Sequence, residues 1–210
     1  RRSQEKFLNW EDYVYTEKFL DAVKKIEGNL KVDKVKFHNK LIHSLSFIEA
    51  PFIPANAGLH LQGCNGCGKT AWASVLVRKA LILGINSMIT NMQNLMTAYY
   101  NDHKLPKDVA IVDLLVIDEV GKELQKNSSS AVLLGVIDRR YQDGKKTILI
   151  SNASPDKLIE MYGATFQSKL HYFRPFYFPE IDLRKNINTL QNNTVQNTGI
   201  QQQIIEVDPI

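Results

Sequence analysis

Residues 63–70 read Gly63-Cys64-Asn65-Gly66-Cys67-Gly68-Lys69-Thr70, the full G-x-x-x-x-G-K-[ST] pattern of a phosphate-binding loop. The glycines let the backbone curl with its N–H groups facing inward, a conformation that a Cβ obstructs. In such a loop the amides cradle the α and β phosphates, the lysine reaches the β and γ phosphates, and the hydroxyl residue ligates Mg²⁺. Those roles fall to Lys69 and Thr70. The flanks suit the motif: the apolar run Leu59-His60-Leu61 leads in, and an apolar-periodic stretch from Ala71 to Leu83 leads out. Strand, loop and helix in that order aim a helix N-terminus at the bound anion. The loop predicts binding of a nucleoside triphosphate with Mg²⁺.

Working outward, Asp113-Leu114-Leu115-Val116-Ile117-Asp118-Glu119 reads as a strand ending in two carboxylates. Consecutive apolar residues suit a strand covered by helices on both faces. Carboxylates at its carboxyl end lie in the crevice where α/β sheets bind ligands. Asp118 is expected to hold Mg²⁺, which prefers oxygen ligands and keeps several waters. Glu119 is expected to orient and deprotonate the attacking water. The bland alternative is an Asp-Glu pair that only starts a turn.

A third strand, Lys146-Thr147-Ile148-Leu149-Ile150, ends in Ser151-Asn152. The Asn152 amide can hydrogen-bond the γ phosphate and the attacking water. The competing reading has Ser-Asn capping the turn into Pro155.

The segments Leu114 to Gly121, Val136-Ile137-Asp138-Arg139-Arg140 and Ile150-Ser151-Asn152 resemble the bacterial replicative helicase loaders of the DnaC/DnaI type. These are AAA+ ATPases, and the transposon-encoded IstB-type ATPases are close relatives. The resemblance covers roughly residues 55–185. It implies a P-loop core with a five-stranded parallel sheet and helices on both faces. It also implies that residues 63–70, Asp118 with Glu119, and Asn152 carry nucleotide binding and hydrolysis. The loaders' last motif, an aromatic strand followed by a γ-phosphate-sensing Arg, is similar to Phe176-Tyr177-Phe178 with Arg184. Implied partners are a replicative helicase, single-stranded DNA and neighbouring copies of the chain.

One segment departs from the pattern. Loaders usually carry Gly-Glu-Arg-x-x-Asp-Arg-Leu, whose arginines reach a neighbouring subunit's nucleotide. Here residues 163–170 read Gly163-Ala164-Thr165-Phe166-Gln167-Ser168-Lys169-Leu170, with Thr165 and Lys169 in the arginine positions. Lysine supplies charge without the planar fork of arginine. Trans-acting charge then falls to Lys169 or Arg174, and slow turnover is expected. Two rival functions follow: a nucleotide-gated binding module with weak hydrolysis, and an IstB-like transposition ATPase.

Composition bounds these readings. The chain has 210 residues, 44% of them hydrophobic and 23% charged, ordinary for one globular α/β core. No apolar run approaches the ~18 residues that span a bilayer, so no membrane role is expected. Both cysteines lie inside the phosphate loop, which implies no disulfide framework and a cytoplasmic setting. Cys64 and Cys67 form a C-x-x-C near His60, but a structural zinc wants four ligands, and small filler residues are the favoured reading. The net charge is +4. The Lys-rich stretch 31–40 and Arg139-Arg140 are candidates for nucleic acid or a neighbouring subunit, each against a solvated or salt-bridged surface reading.

The expected organisation is an N-terminal helical segment (1–50), the ATPase core (51–185) and a flexible Asn/Gln-rich tail (186–210). Residues 19, 20, 23 and 26 give one helix face in the first segment, with Gly28 as its stop. Residues 1–50 do not resemble a loader's separate helicase-binding domain. Pro51 and Pro54 break the chain before the core. A strand is expected at 87–90, then a helix from Asn91 with Leu95, Met96 and Tyr99 on one side. Asn127 and the serines after it are expected to cap a helix running to Tyr141, with Gly144 ending it.

Overall fold

The computed structural model describes residues 34–122, 126–180 and 182. The helix expected over residues 16–26, its Gly28 stop, and the tail at 186–210 lie outside the described residues. The elements run α1 (Lys34–Glu49), a 3-10 turn (Pro54–Asn56), β1 (Gly58–Gln62), α2 (Lys69–Ile82), β2 (Ser87–Asn91), α3 (Met92–Asp102) and α4 (Lys107–Ile111). They continue with β3 (Leu114–Val120), α5 (Lys126–Gln142), β4 (Lys146–Ser151), α6 (Pro155–Tyr162), α7 (Ala164–Leu170) and β5 (Phe173–Tyr177).

The five strands form one sheet in the order β2-β3-β4-β1-β5, and every pairing is parallel. Parallel strands need crossovers, and the helices supplying them cover both faces. Alternation along β3 divides the core: Leu114 and Val116 face one layer, Leu115 and Ile117 the other. The first layer is α1 and α2, which bring Leu41, Phe47, Trp72 and Leu76 onto Leu59 and Ile148. The second is α3, α5, α6 and α7, which bring Leu95, Val136, Leu158 and Phe166 onto Leu115 and Leu149. Helix α1 is fixed to α2 by the indole of Trp72, which donates to Ser44 Oγ at 2.8 Å.

Several expectations shift. Helix α5 begins at Lys126, so the serines after Asn127 lie inside it instead of capping it. Ser129 is fully buried, in phase with the apolar stripe Val132, Leu133, Val136 and Ile137, and Ser130 Oγ donates to the Tyr162 carbonyl at 3.0 Å. In α3, Asn91 caps the helix by accepting from Asn94 N at 2.7 Å, and Leu95 and Met96 are buried. Tyr99 is exposed and meets Tyr100 edge-on, because the buried face of α3 ends with Met96. The last strand starts at Phe173, three residues before the aromatic run begins, and Phe178 follows it.

Arg139 and Arg140 separate completely. Arg139 is exposed and pairs with Asp143 at 2.9 Å. Arg140 is 1% exposed; its guanidinium donates to Thr147 Oγ1 and to the carbonyls of Val109, Val112, Asp113 and Lys146. The DNA- or neighbour-facing reading of Arg140 is therefore wrong. Burial pulls its pKa down to about 10, so it remains charged at neutral pH. Lys145 and Lys146 work beside it: Lys146 Nζ donates to the terminal carbonyls of α1 at Phe47, Ile48 and Ala50, and Lys145 Nζ to Ala110 and Ile111. Three cations thus collect helix-end carbonyls at the N-terminal edge of the sheet, where the backbone dipole favours positive charge.

Candidate nucleotide site

At the opposite edge, β4 lies between β1 and β3. The strand order therefore sets the loop after β1, the carboxylates of β3 and the residues after β4 side by side. Gly66 and Gly68 adopt φ of 77° and 94°, the left-handed region that turns successive amides to one side. Gly68 immediately precedes α2, so the loop delivers its amides and the helix N-terminus to the same cup. Lys69 is 6% exposed and closes the loop from below, donating to the carbonyls of Gly63 at 2.7 Å and Cys64 at 2.6 Å. Its amine also lies 3.5 Å from Cys67 Sγ.

The thiols belong to the loop's packing. Cys67 is buried, Cys64 half-buried, and burial pushes the Cys67 thiol up from its ordinary pKa. Among the described residues, no group of three or more His, Cys, Asp or Glu converges in a way that could hold a metal ion. His60 is buried on β1, with its pKa pushed down to about 4 by desolvation. It is neutral at physiological pH, and its Nε2 makes no hydrogen bond to the protein.

Thr70 Oγ1 donates to Asp118 Oδ2 at 2.7 Å, and Asp118 Oδ1 accepts from Glu119 N at 2.6 Å. A hydroxyl oxygen and a carboxylate oxygen therefore converge at the mouth of the cup, a donor set that fits Mg²⁺. Glu119 follows with φ of 61°, a strained value for a non-glycine residue, at the point where the β3–β4 register shifts. Its carboxylate pairs with Lys122 at 2.7 Å, with both side chains about half exposed.

Asn152 directly follows β4, the strand between β1 and β3. Its Nδ2 donates to Oδ1 of Asn65, a loop residue, at 2.6 Å. The capping alternative holds for Ser151, whose Oγ accepts from Ala153 N at 3.0 Å and donates to the Val120 carbonyl, while Ser154 caps α6 by accepting from Lys157 N and the Asn152 amide stays on Asn65. Two residues not anticipated from the sequence join the same framework. Gln62 Nε2 donates to the Ala153 carbonyl at 2.8 Å, tying the end of β1 to the end of β4. Tyr162 accepts from Gly121 N at 2.8 Å. Gln62 had a visible signal, since it immediately precedes the loop; Tyr162 had none.

Residues 63–70 match a phosphate loop in sequence and backbone, and a family model described as IstB-like ATP binding protein matches residues 10–169. The chain belongs to the IstB-like ATP-binding protein family. Curated relatives of this IstB-like chain include the replicative helicase loader DnaC of Escherichia coli K12, 23% identical over 122 residues, 54% of this chain and 50% of the relative. The DnaC of Buchnera aphidicola subsp. Acyrthosiphon pisum is 26% identical over 105 residues, 46% of this chain and 43% of the relative. The IstB-like chain thus spans about half the length of the curated relatives it matches. Among solved structures, a DnaC helicase loader superposes with a TM-score of 0.60 at 22% identity, covering 68% of this chain and 90% of that one. A DnaA replication initiator bound to AMPPCP and single-stranded DNA superposes at 0.59 with 18% identity, covering 75% and 52%. The five-stranded parallel core expected from the resemblance is thus the fold shared with the DnaC and DnaA structures, and the family makes this chain an IstB-like ATP-binding protein.

The remaining expected site residues are distributed as follows. Arg184 lies outside the described residues. Arg174 is exposed on β5, the edge strand of the sheet. Lys169 forms an ion pair with Asp138, and its Nζ lies 5.6 Å from the centre of the Tyr172 ring. That hydrogen bond to Asp138 holds the Lys169 pKa above its ordinary value. Of the basic stretch 31–40, only the side chain of Lys40 is described, and it is exposed. Among the described residues, no helix is long and apolar enough to cross a membrane.

Proposed function

We propose that this chain is a Mg²⁺-dependent ATPase that delivers a replicative helicase onto DNA in the cytoplasm. The observation that carries the reading is the convergence of Thr70 and Asp118 beside the loop, 2.7 Å apart although 48 positions separate them in sequence. The amides of residues 63–68 cradle the phosphates, and Lys69 exchanges the Gly63 and Cys64 carbonyls for phosphate oxygens. Thr70 and Asp118 hold Mg²⁺, which when bound neutralises charge on the phosphates. Glu119 accepts the proton of the attacking water, and Asn152 exchanges its bond to Asn65 for the γ phosphate. Arg184 is the candidate cis sensor. Nucleotide-dependent association with neighbouring copies then gates the grip on single-stranded DNA.

Steady-state ATP turnover of Glu119→Gln, with single-stranded DNA and helicase present, tests the hydrolytic part. Loss of turnover with retained binding is expected; unchanged turnover removes Glu119 from the role. The engagement of Lys169 by Asp138 favours a second reading, in which ATP switches partner affinity and is hydrolysed slowly. Pull-down with helicase and with transposase as baits separates the loader reading from the transposition one.

A further inference from the structure

We infer that Tyr162 is a positioning residue for Glu119, setting the turn that aims the water-activating carboxylate; this rests on the hydrolytic role proposed for Glu119. Lys122 N donates to the Glu119 carbonyl at 3.2 Å, so residues 119–122 form a β-turn with Val120 and Gly121 at its centre. Gly121 has φ of 90°, as the third position of a type II turn requires, and a Cβ there meets Leu158 Cδ2 at 2.7 Å. Glu119 is itself left-handed at φ 61°. Gly121 takes this conformation at no steric cost, but Glu119 keeps its own only where surrounding contacts hold it.

The contact that holds the centre of this turn comes from another element. Gly121 N donates to the Tyr162 hydroxyl at 2.8 Å, reaching from the end of β3 to the last residue of α6. The phenol is 4% exposed, and its ring packs against Phe166 at 4.9 Å between centroids. Its backbone is fixed as well, since the Tyr162 carbonyl accepts from Ser130 Oγ. A rigid, buried ring thus presents one oxygen to one amide, two residues from the carboxylate. The Lys122 ammonium meets Glu119 from the solvent side. Small rotations of this turn swing the carboxylate relative to Asp118 and the cup, and misplacements near 1 Å can cost on the order of a hundredfold in rate.

The test compares single-turnover ATP hydrolysis and Mg²⁺-ATP affinity in the full chain, Tyr162→Phe, Glu119→Gln, the double variant and Ser130→Ala. Tyr162→Phe keeps the ring and removes the hydroxyl that accepts from Gly121 N. The expected result is a fall in rate of roughly tenfold or more with affinity within about twofold. Because Tyr162 acts through Glu119, adding Tyr162→Phe to Glu119→Gln is expected to cost nothing further. Ser130→Ala, which loosens Tyr162 without touching its hydroxyl, is expected to lower the rate in the same direction but by less than Tyr162→Phe, and a larger loss than in Tyr162→Phe counts against the hydroxyl as the positioning contact. An unchanged rate in Tyr162→Phe, or a full additional loss in the double variant, overturns the inference while leaving Glu119 in place. A Glu119→Gln variant as fast as the unaltered chain overturns the hydrolytic reading itself.

Discussion

The hydroxyl of Thr70 donates to Oδ2 of Asp118 across 2.7 Å, linking the first turn of α2 to the end of β3. The strand order, with β4 between β1 and β3, brings their elements to one edge. Both present oxygen to the same point. Removing either oxygen is expected to weaken magnesium-dependent ATP binding more than magnesium-free binding. Thr70→Ser, which keeps the hydroxyl, is expected to behave like the unaltered chain; Thr70→Ala and Asp118→Asn are not. Titration of ATP with and without Mg²⁺ checks this, and an equal loss in both conditions counts against metal ligation.

Lys169 occupies an arginine position of the loader pattern, yet its ammonium is taken by Asp138 and lies over Tyr172. It is therefore expected to contribute little to a neighbour's nucleotide. Lys169→Ala is expected to leave ATP turnover within about twofold, against the 10³ or more that a trans-acting arginine supplies. A collapse of turnover in that variant assigns the trans role to Lys169 after all.

The adjacent arginines on α5 predict opposite energetics. Arg140 satisfies four carbonyls and the Thr147 hydroxyl inside the protein. Arg140→Leu strands those acceptors and is expected to cost roughly 3–5 kcal/mol, the scale of breaking a buried charged network. Arg139→Ala is expected to cost no more than ~0.5 kcal/mol, because its pairing with Asp143 is exposed. Urea unfolding of the two variants measures the difference.

These arginines also show what could be read in advance and what could not. The loop, the Asp118-Glu119 pair and Asn152 were legible because each is a chemically specific string at the end of an apolar strand. The strands themselves were legible from short apolar runs bounded by Gly, Asn and Asp. Arg140 was misread because a charge pair was taken as a surface unit. Its spacing from Leu133, Val136 and Ile137 continues a buried helix stripe, and that signal outweighs the charge. The serines of α5 were misread for a related reason: good capping residues mark a helix start only when they fall outside the apolar phase, and Ser129 lies within it. The Tyr162 contact with Gly121 was not legible at all, since 41 residues separate the two and only the packing of α6 joins them.

His60 predicts a pH dependence of stability. Burial holds its folded pKa near 4, below the unfolded value of 6.5. The unfolded chain therefore binds the extra proton first as pH falls, so stability is full above about 6.5 and is lost toward 4. The shift corresponds to at most ~3 kcal/mol. His60→Leu is expected to remove this component, the stability difference between the two proteins changing by up to ~1.4 kcal/mol per pH unit within that window. Parallel stability curves contradict the assignment.

Calorimetric titration of Mg²⁺-ATP into the full chain and into Lys69→Ala tests the site most directly. Saturable one-to-one binding is expected, with Lys69→Ala weakening it by roughly 10- to 100-fold, the scale of one lost charge-assisted hydrogen bond to phosphate. No measurable affinity in the unaltered chain, or equal affinity in the variant, contradicts a triphosphate cup at residues 63–70.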